Sequence, residues 1–144
     1  KGGCHPDPGG DRGRHIAIYS LLVHDCGFST EAVIRPAYEL NYPIICTEGE
    51  NTPPCGGRPM LEVDAENVII ETVKYAEDGN GCVLRLYETE GSHAVCKLKA
   101  GFDIMSIYET DMLEYEEKAL DLNGNAVCLK FKPFEIKTLR CIKY

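Results

Sequence analysis

A chain of 144 residues with 44% hydrophobic and 26% charged side chains has the make-up of one ordinary globular domain or two small modules, and a real core is within its reach. Its 15 basic residues stand against 23 acidic ones, and a net charge of −8 argues against a nucleic-acid backbone or an anionic membrane surface as partner. No apolar run approaches the roughly 20 residues of a membrane-spanning helix.

The N-terminal stretch GGCHPDPGGDRG is loop-like and follows Lys1 rather than a methionine, as expected of a position inside a longer protein. Residues 16–23 (IAIYSLLV) are apolar on both alternating sets, which predicts a central strand covered on both faces. Such a strand cannot satisfy its backbone alone, so it is expected to pair with the rest of the chain or with a second copy. Ser29 can cap a helix over residues 29–40, with Glu31 in the first turn and Val33, Ala37 and Leu40 on one face. Pro36 predicts a kink or two short turns, and Tyr42-Pro43 an end. Residues 47–64 carry Pro53, Pro54 and Pro59 with Gly49, Gly56 and Gly57 and show no periodicity, which reads as a linker or long surface loop.

From residue 67 onward strand signals dominate. Residues 82–88 alternate, with Cys82, Leu84 and Leu86 on one face and Val83, Arg85 and Tyr87 on the other. Residues 93–98 turn Ala94, Cys96 and Leu98 inward, and residues 126–132 do so with Val127, Leu129 and Phe131. Residues 67–76, 103–111 and 134–142 complete six or seven strands, the last beginning anew after Pro133. Asp78-Gly79-Asn80-Gly81, Gly91-Ser92 and Asn123-Gly124-Asn125 supply the positive-φ residues of tight turns. Short strands with such turns between them predict a mainly β fold, an antiparallel, immunoglobulin-like β-sandwich.

Eight cysteines lie at wide, irregular spacings with no C-x-x-C pair, so a zinc ribbon is excluded. Several occupy strand positions where a small hydrophobe would serve, and free thiols in a reducing cytoplasm are the simplest reading. Arg85 is expected to pair across strands with Glu71 or Glu88. Tyr87, Tyr108 and Tyr115 read as half-buried strand residues before they read as a sugar platform.

Two blocks carry a resemblance. The first is Pro6-Asp7-Pro8, then Asp11-Arg12-Gly13-Arg14-His15, an apolar strand ending in His24 and Gly27, and RPAYELNYPI at residues 35–44. The second is residues 67–144, with KYAEDGNG, LRLYETEG, ETDMLE and PFEIKTLR in order. Together they resemble the C-terminal end of the α-mannosidases of glycoside hydrolase family 38, especially the cytoplasmic bacterial and fungal branch. One departure is Val23, where that family usually has proline.

The resemblance implies that residues 1–46 are the end of a large β-sandwich, a strand-helix remnant, that 47–66 are a linker, and that 67–144 form a small terminal sandwich. It implies a parent enzyme that hydrolyses terminal α-mannosides in mannose-containing glycans, with a catalytic domain holding zinc and the nucleophile outside this chain. Neither catalytic residues nor a metal site are expected within the chain; His24 and Asp25 are adjacent and would diverge on a strand. Asp11, Arg12 and His15 are the candidate substrate-binding residues, because the corresponding loop of the family projects toward the active-site cleft. The plainer role for Asp11 is to form the turn with Gly13. Cytoplasmic location, the catalytic domain as partner and possible self-association complete the reading. The alternative is an independent carbohydrate-binding or protein-interaction sandwich, against which the absence of tryptophan counts.

Overall fold

A computed structural model describes residues 13–25, 27–46, 48, 57–115 and 118–143. Two antiparallel sheets face each other. The four-stranded sheet runs in the order β1 (Leu61–Val63), β4 (Ala94–Ala100), β8 (Ala126–Phe131), β7 (Leu122–Asn123). The five-stranded sheet runs β2 (Val68–Tyr75), β3 (Cys82–Glu88), β9 (Ile136–Lys143), β5 (Ile104–Thr110), β6 (Lys118–Ala119). The sandwich is therefore mainly β, as the alternation predicts, with more strands than the expected six or seven. The additional ones are the short β1, β6 and β7, too brief to leave an alternating signature.

The core lies between the sheets. Ala94, Cys96 and Leu98 meet Val127, Leu129 and Phe131 on one side, and Leu84, Leu86, Ile107 and Leu139 close it from the other. Residues directly opposite on paired strands point to the same side, so the pairings Leu84↔Leu139 and Cys96↔Leu129 stack apolar side chains in layers. The β2–β3 hairpin turns through Gly79 and Gly81, both at positive φ, where a side chain would be strained. Gly124, at φ 62, serves the β7–β8 hairpin.

Leu61–Val63 falls in the stretch expected to be irregular, yet it pairs with β4 as an edge strand. β2 carries a bulge: Ile70 and Thr72 pair with Leu86 and Arg85, and Glu71 is the extra residue between them.

The N-terminal segment departs from its expected form. Residues 16–23 lie in no strand and do not pair into the sandwich. Tyr19, Leu21 and Val23 are 90%, 91% and 87% exposed, where a doubly covered strand was predicted. The predicted helix is present in two pieces, a single π-helical turn (Thr30–Ile34) followed by α1 (Arg35–Asn41). Ser29 caps the first, its Oγ accepting from the Ala32 amide at 3.1 Å. Pro36 sits near the start of α1, where its missing N–H costs nothing, so the break comes before the proline rather than at it. The predicted face of Val33, Ala37 and Leu40 is wrong: Ala37 and Leu40 are exposed, and Thr30 and Tyr38 make the contacts.

Candidate functional site

Two other segments reach part of the outer face of the five-stranded sheet, through the Tyr38–Tyr87 contact and the bond from Arg85 to the Met112 carbonyl. Helix α1 lies over one part of it and the loop after β5 over another. Between them opens a pocket of about 330 Å³, lined by Tyr38, Glu71, Arg85, Tyr87, Met112 and Ile136. The alternation of β3 sends Arg85 and Tyr87 to this face, and the β2 bulge places Glu71 beside them. The Tyr38 and Tyr87 hydroxyls are 3.1 Å apart. That hydrogen bond, with burial, pushes the Tyr38 phenol up to about 12, so it stays protonated at any physiological pH.

Arg85 pairs with neither Glu71 nor Glu88, against expectation. Its Nη2 donates to the Met112 carbonyl at 3.0 Å, and its Nε is buried without a hydrogen-bond partner among the described residues. Glu88 is unavailable because it points into a different network. A guanidinium with donors to spare, two phenols and a carboxylate over an apolar floor can hold an uncharged hydroxyl or amide group.

Glu88 is fully buried at the end of β3. Its Oε1 accepts from the Glu90 amide at 2.9 Å, Asn67 Nδ2 at 2.9 Å and Ser92 Oγ at 3.2 Å. Its Oε2 accepts from the Gly91 amide at 2.8 Å and the Phe134 amide at 2.9 Å. Burial alone would raise this carboxyl; the amide donors outweigh it and bring the group down to about 2. Phe134 takes a positive φ of 56 to offer its amide.

The N-terminal segment docks onto this same corner. Thr30 is fully buried; its amide donates to Glu90 Oε1 at 2.7 Å and its hydroxyl lies 2.5 Å from that of Thr89. A second carboxylate, Glu114, has positive φ and lies under the sheet's other end, 2.6 Å from Lys74 Nζ. The Lys74 hydrogen bond and the Glu77 amide at 2.8 Å hold it below the usual carboxylate range. Both carboxylates serve backbone and turn geometry, and neither faces the pocket.

Residues 67–139 match the model of the glycosyl hydrolases family 38 C-terminal beta sandwich domain. The chain belongs to glycosyl hydrolase family 38. It is 35% identical over 139 residues to a human protein, alpha-mannosidase 2C1, covering 93% of this chain and 13% of that relative. It is 30% identical over 146 residues to alpha-mannosidase G of Dictyostelium discoideum, covering 95% of this chain and 13% of the relative. It is 26% identical over 160 residues to the alpha-mannosidase of Saccharomyces cerevisiae, covering 94% and 14%. The chain thus spans about an eighth of the length of these relatives, and each match runs through the N-terminal segment as well as the sandwich.

For a family 38 chain the structure is informative about only one of the sequence-derived site residues. His15 is exposed in the extended segment ahead of the helical turn. Asp11 and Arg12 lie outside the described residues. Against the expectation that the chain holds no His-x-Asp pair, the spacing by which the resemblance implies that the family's zinc is bound, one occurs at His5-Pro6-Asp7, outside the described residues. Among the described residues no three His, Cys, Asp or Glu side chains converge as metal ligands, so the residues in view do not fit a zinc ion. No described helix is long and apolar enough to cross a membrane.

Sequence reasoning missed the Tyr38–Tyr87–Arg85 pocket. Each residue was visible, but the signal joining them is a contact between segments 49 positions apart, made by a helix whose face was misread.

Proposed function

We propose that this chain is the C-terminal part of an α-mannosidase and that it braces the rest of that enzyme. The carrying observation is that proteins named α-mannosidase match nearly all of this chain with about an eighth of their own length. The bare apolar segment at residues 16–23 supports the bracing role. A monomer does not ordinarily hold so many large apolar side chains in water, and missing strands of the parent would cover both faces.

In this reading residues 1–46 complete a larger sandwich, 47–66 link, and 67–144 form the terminal sandwich. The parent hydrolyses terminal α-mannosides of glycans, and its zinc ion and nucleophile are supplied by its catalytic domain. Asp11, Arg12 and His15 border the cleft and hold sugar hydroxyls, a task suited to the planar donor fork of arginine. The location is cytoplasmic, which the free thiols of Cys46, Cys82, Cys96, Cys128 and Cys141 support. An independent sugar-binding module is not favoured.

The test is a Leu21→Asp, Val23→Asp pair made in the full-length protein. Turnover of an aryl α-mannoside should fall on the order of tenfold or more, with accelerated proteolysis near the substitutions. Unchanged turnover and unchanged proteolysis would overturn the bracing role. No α-mannosidase activity in the unaltered full-length protein would overturn the enzymatic reading itself.

A further inference from the structure

Two thiols face each other near the end of the sandwich. Cys82 begins β3, and its direct partner on β9 is Cys141. Directly opposite residues of antiparallel strands have Cα atoms roughly 4.5 or 5.5 Å apart, depending on the hydrogen-bonding class of the pair. Both values fall within the roughly 4.4–6.8 Å that a disulfide spans, so β3 and β9 need not move for these cysteines to join. The pairing with Leu84 and Leu139 two positions along shows that both thiols turn toward the core side.

The two differ in access. Cys141 is buried within the core cluster. Cys82 is only partly buried and lines a pocket of about 280 Å³ formed with Met60, Tyr75, Gly79, Phe102 and Lys143. The pocket is walled almost wholly by carbon, and Lys143 is its one basic residue among the described residues.

We propose that Cys82 is an oxidation site for a small hydroperoxide and that Cys141 resolves it as a cross-strand disulfide. The thiol of Cys141 hydrogen-bonds the Cys82 sulfur, and with Lys143 nearby this brings Cys82 down to about 7, while Cys141 is raised. The more accessible partner therefore carries the nucleophilic thiolate, and the partner buried in the core holds the proton.

In the first step the Cys82 thiolate sulfur attacks one oxygen of hydrogen peroxide. A sulfur–oxygen bond forms as the O–O bond breaks; the attacked oxygen keeps its hydrogen, which leaves Cys82 as a sulfenic acid, and the departing hydroxide takes up the proton that the Cys82 thiol released and leaves as water. In the second step the Cys141 thiol loses its proton and its sulfur attacks that of Cys82. The S–O bond breaks and the hydroxyl leaves with the proton as a second water. Two thiols and one peroxide give one disulfide and two waters, with two electrons passing to the peroxide. In a reducing compartment such a bond is transient, as a switch requires. Its effect is to fasten β3 to β9, two adjacent inner strands of the five-stranded sheet. None of this depends on the family reading.

The experiment is graded treatment of the folded full-length protein with hydrogen peroxide, quenching by alkylation, and peptide mapping. The expected result is a linked pair containing residues 82 and 141, lighter by about 2 Da than the two reduced peptides. In Cys141→Ser, a 1,3-dione probe should label Cys82; in Cys82→Ser, Cys141 should stay reduced. In the untreated native protein Cys82 should alkylate on the order of tenfold faster than buried Cys96, which burial holds up to about 12. A strand-type circular dichroism spectrum is required of each variant. Cys82 remaining reduced, or joining any cysteine other than Cys141, overturns the proposal; so does equal labelling of Cys82 and Cys96 in the native protein, which stands even where a variant fails to fold.

Discussion

Residues 57–143 and residues 13–46 come from one chain, yet they treat apolar side chains in opposite ways. In the sandwich, every alternating strand finds its partner within a few dozen residues, and side chains such as Leu84, Leu86 and Leu139 lose all contact with water. In the N-terminal segment, Ile16, Ile18, Tyr19 and Leu21 are as apolar as any core strand and stay in water. The difference is in partners, not in composition. Strand propensity becomes a strand only where another backbone edge is available to bond it. What joins the two regions is a small polar joint at Thr30, Thr89 and Glu90, together with the Tyr38–Tyr87 contact.

Substitution can break that comparison at several points. Glu88→Ala should have the largest effect, because it leaves several buried donors without an acceptor at the corner both regions share. About 3 kcal/mol should be lost from the unfolding free energy measured in urea, and the N-terminal segment should come loose with it. The same group sets an acid limit. Its folded pKa of about 2 lies below the unfolded value, so its contribution is complete above the ordinary glutamate range and is lost as pH falls toward 2. Glu88→Gln should flatten the acid limb of stability against pH.

Gly81→Ala comes next. A Cβ there would collide with the Cys141 carbonyl oxygen, at a φ of 92 that disfavours any side chain. A loss of about 2 kcal/mol confined to the sandwich is expected, read as a lowered urea midpoint with the Thr30 joint still protected from hydrogen exchange.

Thr30→Val sharpens the contrast from the other side. It removes a hydroxyl that meets Thr89 and Glu90. The sandwich should lose no more than about 1 kcal/mol, while amide exchange across residues 30–41 accelerates. The smallest effect belongs to Leu21→Asp in this chain by itself, within about 0.5 kcal/mol, since its side chain is already in water. A larger loss would mean that the segment packs on the sandwich after all.

These predictions follow the line between what the sequence discloses and what it does not. The inward faces of β4 and β8 are legible because a period of two over six or seven positions has a single buried solution, and on β3 the alternation finds Leu84 and Leu86 while Val83 on the opposite face and Glu88 are buried as well. The hairpin at residues 78–81 is legible because few residues tolerate positive φ. Leu61–Val63, Lys118–Ala119 and Leu122–Asn123 are not, since two or three residues have no period. The 16–23 segment is misread for a different reason: its pattern describes a burial that needs backbone and side chains other than those it meets here. The candidate pocket stays hidden because Arg85 looks like half of an ion pair until its supposed acid, Glu88, is found gathering amides elsewhere.

The joint at Thr30 has a mechanical consequence. The helical turn grips residues 89 and 90, and the adjacent Glu88 carboxylate grips the amide before β9. A pull on the N-terminal segment is therefore delivered to one corner, where β3 ends and β9 begins side by side. Both strands are inner members of the five-stranded sheet with a neighbour on each side, so whatever lies upstream is tied to the interior of the sheet and not to an edge strand.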